Sequence, residues 1–509
     1  MPTTNHLHET IQLTTPGLWV NRHQTIQQAV SGIYTIWNAD LSDKLETYKI
    51  ATQAFQSLIK QAETNGKRLH ALGGGWSLAP VGMTNDYLVN TKPLRLRFRI
   101  SKDRVSPEYP GKAMNLCFVQ CGNSITRLNR YLRANKKSLR TSGSSNGQTV
   151  VGALSTGTHG SRIDFGAFQE FVVGLHIIVG ANRHVWLERK SYPVTVPGFA
   201  AKLGAEYIQD DLLFNAALIS FGGFGFIHGV MIETERRFLL EAYRLQLPYD
   251  DAMKLAIKTL TLSSLQLPSS QRPYHFEVIF NPNTAVKKPY VKVMYKHPYR
   301  HQYPHPERDI DEPGLGDGAL EIVGRLFDAL PASMTRALIN RSVEAEYQPF
   351  GPKWGTLGEI FSSELVRGKT LSAAMAVPLA QAEKALDAAY VAHQNHDALF
   401  PGLISLRYVK GSDALLAFTR FDTSAVLEID SIYSEESMQY LRTVWQQLDA
   451  GNIPYTLHWG KLNELDAQTV RKMYGNSVDQ WIAARQRLLD DSSREVFSNQ
   501  FIEQVGLSD

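Results

Sequence analysis

Cysteine is almost missing from this chain: only Cys117 and Cys121 occur, both in the stretch NLCFVQC. Read as a strand, a separation of four residues puts both thiols on one face but about 13 Å apart, beyond disulfide reach. A disulfide framework is therefore excluded, the thiols are expected to be buried and structural, and a reducing compartment fits them. Charge of one sign is lacking too. The chain carries 53 Lys and Arg against 49 Asp and Glu, a net +4, and no block of like charge gives the electrostatic footprint of a nucleic-acid binder. No apolar run is long enough to span a membrane, because the longest, 212–232, is interrupted by Asn215, His228 and four glycines. The opening MPTTNHLHETIQ lacks a basic region followed by an apolar one, so no secretion signal is expected and a cytoplasmic location is the expectation. His297, His301 and His305 recur every four residues, yet the prolines among them preclude one helix face; no metal site is read there.

What is present is ordinary for a soluble enzyme: 509 residues, 43% hydrophobic, 20% charged. That length implies two or three domains. The stretch around which the chain is organised is 141–161, TSGSSNGQTVVGALSTGTHGS, with five glycines and nine Ser or Thr. Its backbone can approach a ligand closely, and hydroxyls lie along the whole path. No Lys, Arg, Asp or Glu interrupts it, so an anionic ligand there meets N–H groups and hydroxyls, the composition of a pyrophosphate nest. Val150, Val151, Ala153 and Leu154 distinguish it from a flexible linker.

Two more glycine turns flank this one. An amphipathic helix over 42–66, with Ser42 and Glu46 near a capping arrangement, leads to a strand at 69–72 that runs into Gly73, Gly74 and Gly75, with Trp76 and Ser77 behind. Further on, 210–232 reads as a helix that breaks at Gly222 and Gly223 and passes Gly225 and Ile227 into a strand. From about residue 234 the texture changes to strand-like pieces, 275–282 and 290–297, alternating with helices such as 379–394: a second, mixed α+β unit. The segment 298–314 reads as an exposed loop. Segments 403–421 and 424–433 read as paired strands, with Ser405 and Arg407 on one face, and Glu428 and Asp430, either solvated or paired, on one face of the second. The last forty residues have a helical pattern.

In this order the motifs resemble those of the flavin oxidoreductases with the vanillyl-alcohol oxidase and p-cresol methylhydroxylase (PCMH) fold, and within them the aldonolactone and alditol oxidases, the D-arabinono-1,4-lactone oxidase type. ALGGGWS is similar to the first pyrophosphate loop, SSNGQTVVGALSTGTHGS to the long second FAD loop, DDLLFNAALISFGGFGFI to the segment at the adenine end, and LHWGK at 457–461 to the C-terminal signature near the flavin ring. The resemblance implies an α+β, two-domain fold: a PCMH-type FAD-binding domain over 1–235, a mixed-sheet substrate or cap domain over 236–455, and a segment 456–509 returning to the first. It assigns FAD to Gly73, Gly74, Gly75, Trp76 and Ser77; to Gly143, Ser144, Gln148, Thr149, Gly152, Ser155, Thr156, Gly157, Thr158, His159, Gly160 and Ser161; and to Gly222, Gly223, Gly225 and Ile227. Two positions depart from the family pattern. Trp76 stands where many relatives have the histidine that bonds to the flavin, so noncovalent FAD is expected. Ser405 stands where lactone and polyol oxidases carry the Glu of a Glu-x-Arg pair, which places such substrates in question.

The activity implied is oxidation of a hydroxyl-bearing small molecule by hydride transfer to FAD, with oxygen, giving peroxide, or another acceptor as the oxidant; the resemblance ties oxygen access to small residues near the flavin, and Thr158 lies in that segment. Arg407 and Lys461 are cations suited to stabilising an alkoxide or the reduced flavin. His458 could act as a base or orient its neighbours. Ser405 completes the catalytic candidates. Alternatives are a flavin dehydrogenase, a sterol-like or apolar-alcohol oxidase, and a ligand-binding protein that kept the fold without catalysis.

Overall fold

The computed structural model describes residues 9–306, 336–364, 369–394 and 400–508. They fold as an α+β protein in which three sheets carry most of the strands. A four-stranded mixed sheet runs Ile11–Thr14, Gly32–Ile36, Tyr87–Asn90, Leu69–Leu72 in spatial order. A six-stranded sheet runs Glu206–Gln209, Arg183–Glu188, Val172–Gly180, Phe226–Glu233, Leu116–Gln120, Arg97–Arg99. The third sheet has eight strands, all antiparallel, in the order Phe350–Gly355, Phe238–Gln246, Tyr290–Pro298, His275–Phe280, Gly402–Lys410, Thr423–Ile432, Thr370–Pro378, Thr456–Leu457. The helices Ala382–Gln394 and Glu435–Ala450 pack against the strand Thr423–Ile432.

The helix Lys44–Asn65 lies against strands of both smaller sheets and buries Ile50, Ala51, Ala54, Phe55, Leu58 and Ile59. Its cap is Asp43, not Ser42: Asp43 Oδ1 accepts from the backbone N–H of Leu45 at 2.8 Å and Glu46 at 3.2 Å. Gly66, in the left-handed region at φ 58°, ends it. The strand Val172–Gly180 is buried along its whole length, which explains why its sequence is an unbroken apolar run instead of an alternation.

Some segments differ from their reading in the sequence. The run 403–421 is not one strand: pairing stops at Lys410, and turns occupy the stretch before Thr423. Apolar residues beyond 410, such as Leu416 and Phe418, are buried as loop residues, so hydrophobicity there marks core and not strand. The central stretch 141–161 contains a short helix, Val150–Ser155, capped by Thr149, and its apolar residues Val150, Ala153 and Leu154 are buried. Cys121 lies one residue beyond the strand Leu116–Gln120; both thiols are free and buried, and burial pushes each up to about 12. Part of the expected loop at 298–314 lies outside the described residues; within them, His297 Nε2 is 3.0 Å from Glu241 Oε2 and His305 Nδ1 3.2 Å from Glu359 Oε1. No described helix is long and apolar enough to cross a membrane.

Candidate active site

A cleft with a volume of about 230 Å³ lies between the two smaller sheets and one face of the eight-stranded sheet, and all three glycine turns open onto it. The strand Leu69–Leu72 delivers the first turn. A Cβ on Gly73 would sit 2.4 Å from Thr149 Oγ1, so the first and second loops touch only because the residue has no side chain. The third turn reaches in at Gly222, whose φ of +83° belongs to glycine and whose Cβ would lie 2.8 Å from the His70 ring. The second loop is held from the opposite half of the molecule, where Asn146 N–H donates to Ser363 O at 2.7 Å.

Of the residues singled out in the sequence, the cleft is lined by Gly73, Gly74, Gly75, Trp76, Ser77, Gly143, Ser144, Gln148, Thr149, Gly152, Ser155, Thr156, Thr158, His159, Gly222, Gly225, Ile227, Arg407, His458 and Lys461. Five do not reach it. Gly157, Gly160 and Gly223 shape the backbone behind it; Gly160 has no room for a side chain because a Cβ would meet Ser142 O at 2.3 Å. Ser161 Oγ donates to Phe276 O, tying the loop to the large sheet. Ser405 is fully buried, and its Oγ donates to Glu428 Oε2 at 3.3 Å.

The floor of the cleft is a cluster of buried charge on the eight-stranded sheet. Register sets Glu277 opposite Arg407, Ser405 opposite Glu428, and Ser372 opposite Asp430, so these side chains share a face by strand alternation. Arg407 Nε lies 2.9 Å from Glu277 Oε1 and 3.1 Å from Glu428 Oε2. Lys461, in the turn after Thr456–Leu457, brings Nζ to 2.5 Å from Glu428 Oε1, and His159 Nε2 comes to 3.3 Å from the same oxygen. Burial raises the Glu428 carboxyl, but Arg407 and Lys461 outweigh it and hold the group well below the usual carboxylate range. Glu277 is held low in the same way by Arg407 and Lys292, whose Nζ is 3.1 Å from Glu277 Oε2. Asp430 differs: burial, reinforced by Glu428, raises it to about 7 against the pull of Lys461.

His458 is neutral in this setting. Burial first, then His159 and Lys461, press it well below the ordinary imidazole value, and its Nδ1 accepts the Gly460 N–H at 3.0 Å. The hydrogen therefore sits on Nε2, so the ring offers the cleft a donor and not a base. Of the two roles read in the sequence, the geometry favours orientation.

Several lining residues had no signal in the sequence. The hairpin Leu18–Val20 and Gln27–Ala29 places Trp19, His23 and Ile26 on the cleft, and clasps the first glycine loop through Arg22 N–H to Gly75 O at 2.9 Å and Asn21 Nδ2 to Ser77 O at 3.0 Å. From the other end of the chain, Arg485 Nε donates to Gly223 O at 2.8 Å, Trp481 Nε1 to Ile219 O at 3.0 Å and Asn499 Nδ2 to Val81 O at 3.2 Å, which brace the first and third turns from outside. Glu428 and Asp430 are buried lining residues, which removes the solvated reading of both. The carboxylate that Ser405 cannot supply beside Arg407 is present after all, one strand over.

The cleft also suits a flavin nucleotide on its own chemistry. Trp76 Nε1 and Gln148 Oε1 line it as buried polar atoms with no hydrogen-bond partner among the described residues, so a ligand with both acceptors and donors satisfies what the protein leaves open. The glycine turns leave the backbone bare where a phosphate has to come close.

Comparison with known proteins agrees. Residues 51–188 match the family described as FAD binding domain. The chain is 28% identical over 204 residues to D-arabinono-1,4-lactone oxidase of Debaryomyces hansenii, covering 39% of this chain and 33% of that protein. It thus spans about a third of the length of such oxidases. It is 22% identical over 460 residues to L-gulono-1,4-lactone dehydrogenase of Mycobacterium tuberculosis, 88% of this chain and 92% of that one. Among solved structures, cholesterol oxidase from B. sterolicum superposes with a TM-score of 0.69 over 99% of both chains at 13% identity. Xylooligosaccharide oxidase from Myceliophthora thermophila C1 gives 0.61 over 97% of both, also at 13%. The whole-chain superposition gives this protein the α+β fold of these oxidases, and the stretch 51–188 within it is similar to an FAD-binding domain. Over part of its length the sequence is aldonolactone-oxidase-like.

Proposed function

We propose that the protein is an FAD-dependent oxidoreductase that oxidises a hydroxyl group of a small, polar molecule, with FAD held noncovalently and oxygen as the electron acceptor. The observation that carries this reading is that the glycine turns and the Arg407, Lys461 and Glu428 cluster open onto one cleft. Bound FAD supplies the hydride acceptor; the chain supplies binding, orientation and electrostatics. The three glycine turns, with Trp76 and Gln148, would hold the cofactor. Arg407 and Lys461 stabilise negative charge as it develops on the substrate oxygen, and His458, fixed through Nδ1, presents Nε2–H as a donor. Glu428 fixes both cations and supports a polar substrate over an apolar alcohol, since a carboxylate does accompany the arginine. The names of the relatives, lactone oxidases and a lactone dehydrogenase, point the same way. Trp76 supports noncovalent attachment, because an indole cannot form the bond that a histidine forms in that loop.

The test is the visible spectrum of the purified protein, followed by acid precipitation and a substrate panel of D-arabinono-1,4-lactone, L-gulono-1,4-lactone, xylobiose and cholesterol, with peroxide and dye reduction read in parallel. Flavin released to the supernatant, with bleaching and peroxide on a polar panel member, is the expected result. Colour retained in the pellet overturns the noncovalent assignment. Turnover of cholesterol alone overturns the polar substrate, and dye reduction without peroxide overturns oxygen as acceptor.

A further inference from the structure

We propose that Asp430 is the group that takes the proton from the substrate's hydroxyl, a role that rests on the reading of this cleft as a site of alcohol oxidation. Of the two carboxylates facing the cleft from the strand Thr423–Ile432, Glu428 is fully engaged: Arg407, Lys461, His159 and Ser405 all lie within 3.3 Å of its oxygens. A carboxylate so saturated is a fixed counter-charge, not a proton acceptor. Asp430 lies two residues on, so strand alternation returns it to the same face, and it lines the same cleft while only 1% exposed. One side of it is fixed, since Ser372 Oγ donates to Oδ1 at 2.6 Å. Among the described residues no group donates to Oδ2, so the protein leaves that oxygen to whatever occupies the cleft.

The charged and titratable groups around it are Glu428 on its own strand, Arg407 on the next, Lys461 and His458 on the turn after Leu457, and His159 on the second glycine loop. On the remaining side, the strand Thr370–Pro378 contributes Ser372, with His23 bound to Thr370 through a 2.9 Å contact. Burial and Glu428 raise Asp430 to about 7, which places its basic form and its acid form within reach of each other near neutrality. In the reaction, the O–H proton passes to Asp430 Oδ2. The carbon bearing that oxygen would give up its hydrogen as hydride to bound FAD, the oxidant, as its C–O bond becomes C=O. Asp430 then returns the proton to solvent. Lys461 and Arg407 stabilise the oxygen while the proton moves.

The test uses the full-length holoprotein and two readouts. Infrared titration of the wild type is expected to show a protonated-carboxyl band that fades as pH rises through 7 and is absent from Asp430→Asn. In rapid mixing with the panel member that bleaches the wild-type flavin, Asp430→Asn is expected to keep FAD bound but to bleach roughly 100-fold or more slowly, with the acid limb of the pH profile gone. Ser372→Ala removes the hydrogen bond that favours the ionised form, so its acid limb should move to higher pH, which a merely structural serine would not cause. A band that persists in Asp430→Asn, or a variant that keeps the wild-type rate and acid limb, overturns the proposal. If the wild type itself takes up no FAD, or no panel member bleaches it, the functional reading fails first and the proton-acceptor role falls with it; a failure confined to the variant strikes Asp430 alone.

Discussion

Glu428 Oε2 lies 3.1 Å from Arg407 Nε although the two residues belong to neighbouring strands, and Ser405, two residues before the arginine, sits directly across from the glutamate. The sheet therefore rebuilds across strands a carboxylate-arginine pair that could have been carried by one strand. Glu428→Gln should separate the two consequences of that pair. Removing one partner of a buried ion pair leaves Arg407 and Lys461 uncompensated and should cost about 3 kcal/mol, read as a lower denaturation midpoint. Displaced cations should also lower kcat/KM roughly 100-fold. A variant with wild-type stability and turnover would show that Glu428 does not hold them.

The cross-strand arrangement allows a sharper test by exchange. Ser405→Glu alone forces two carboxylates into one site, where one must take up a proton, and should destabilise the protein. Glu428→Ser alone leaves the cations bare. Combined, Ser405→Glu with Glu428→Ser restores one carboxylate on the other strand, so the double variant should be more stable and more active than either single one. The measurement is a double-mutant cycle on midpoint and kcat/KM. Simple additivity of the two losses would mean that the strands do not share the site as described.

The contrast between Ser405 and Glu428 also marks where the sequence is legible. Segments that follow one local rule were readable: the strand Leu69–Leu72, the glycine turn after it, the helix Lys44–Asn65 within a few residues, and the composition of the central loop. Arg407, Lys461 and His458 stood out because their motif lies within a few residues of chain. Glu428 and Asp430 did not, because their meaning depends on register between strands, a long-range property that alternation alone leaves open. Trp19, His23 and His70 were hidden for the same reason: each reaches the cleft by tertiary placement, and no periodicity announces it. The strand ending at Lys410 looks longer in the sequence than it is because buried loop residues are as apolar as strand residues.

Gly222 tests the third turn. Alanine there must adopt a φ near +83° and place its Cβ 2.8 Å from the His70 ring. Strain of this kind costs on the order of 1–3 kcal/mol, and the turn lines the cleft. Gly222→Ala should weaken FAD retention, measured as flavin lost on dialysis, more than it lowers the midpoint of the apoprotein. The same substitution at Gly66, left-handed at φ 58° but remote from the cleft with nothing near its Cβ, should affect the midpoint only. Equal flavin retention in both variants would remove the third turn from the cofactor's contacts.

Acid stability follows from the histidines. Burial lowers His23 and His70 to about 4 and presses His176, His228 and His458 well below the ordinary value of 6.5. Each is neutral in the folded chain but takes up a proton when unfolded below 6.5, so the unfolded state binds more protons and stability falls as pH drops through that window. For His70 alone the loss approaches an order of 3 kcal/mol by pH 4. Asp430 acts in the opposite direction, since it is raised from 3.8 to about 7 and holds a proton in the folded state that the unfolded state releases. Burial raises Glu170 as well, but it also lowers His159, His184 and His275, so the lowered histidines outnumber the raised carboxyls and the net sign stays with the histidines. The denaturation midpoint should therefore fall between pH 7.5 and pH 5, and fall more steeply in Asp430→Asn, which loses an opposing group. A midpoint that holds or rises toward pH 5 in the wild type would mean that the buried histidines are charged in the folded protein, and with them the assignment of His458 as a neutral donor would fail.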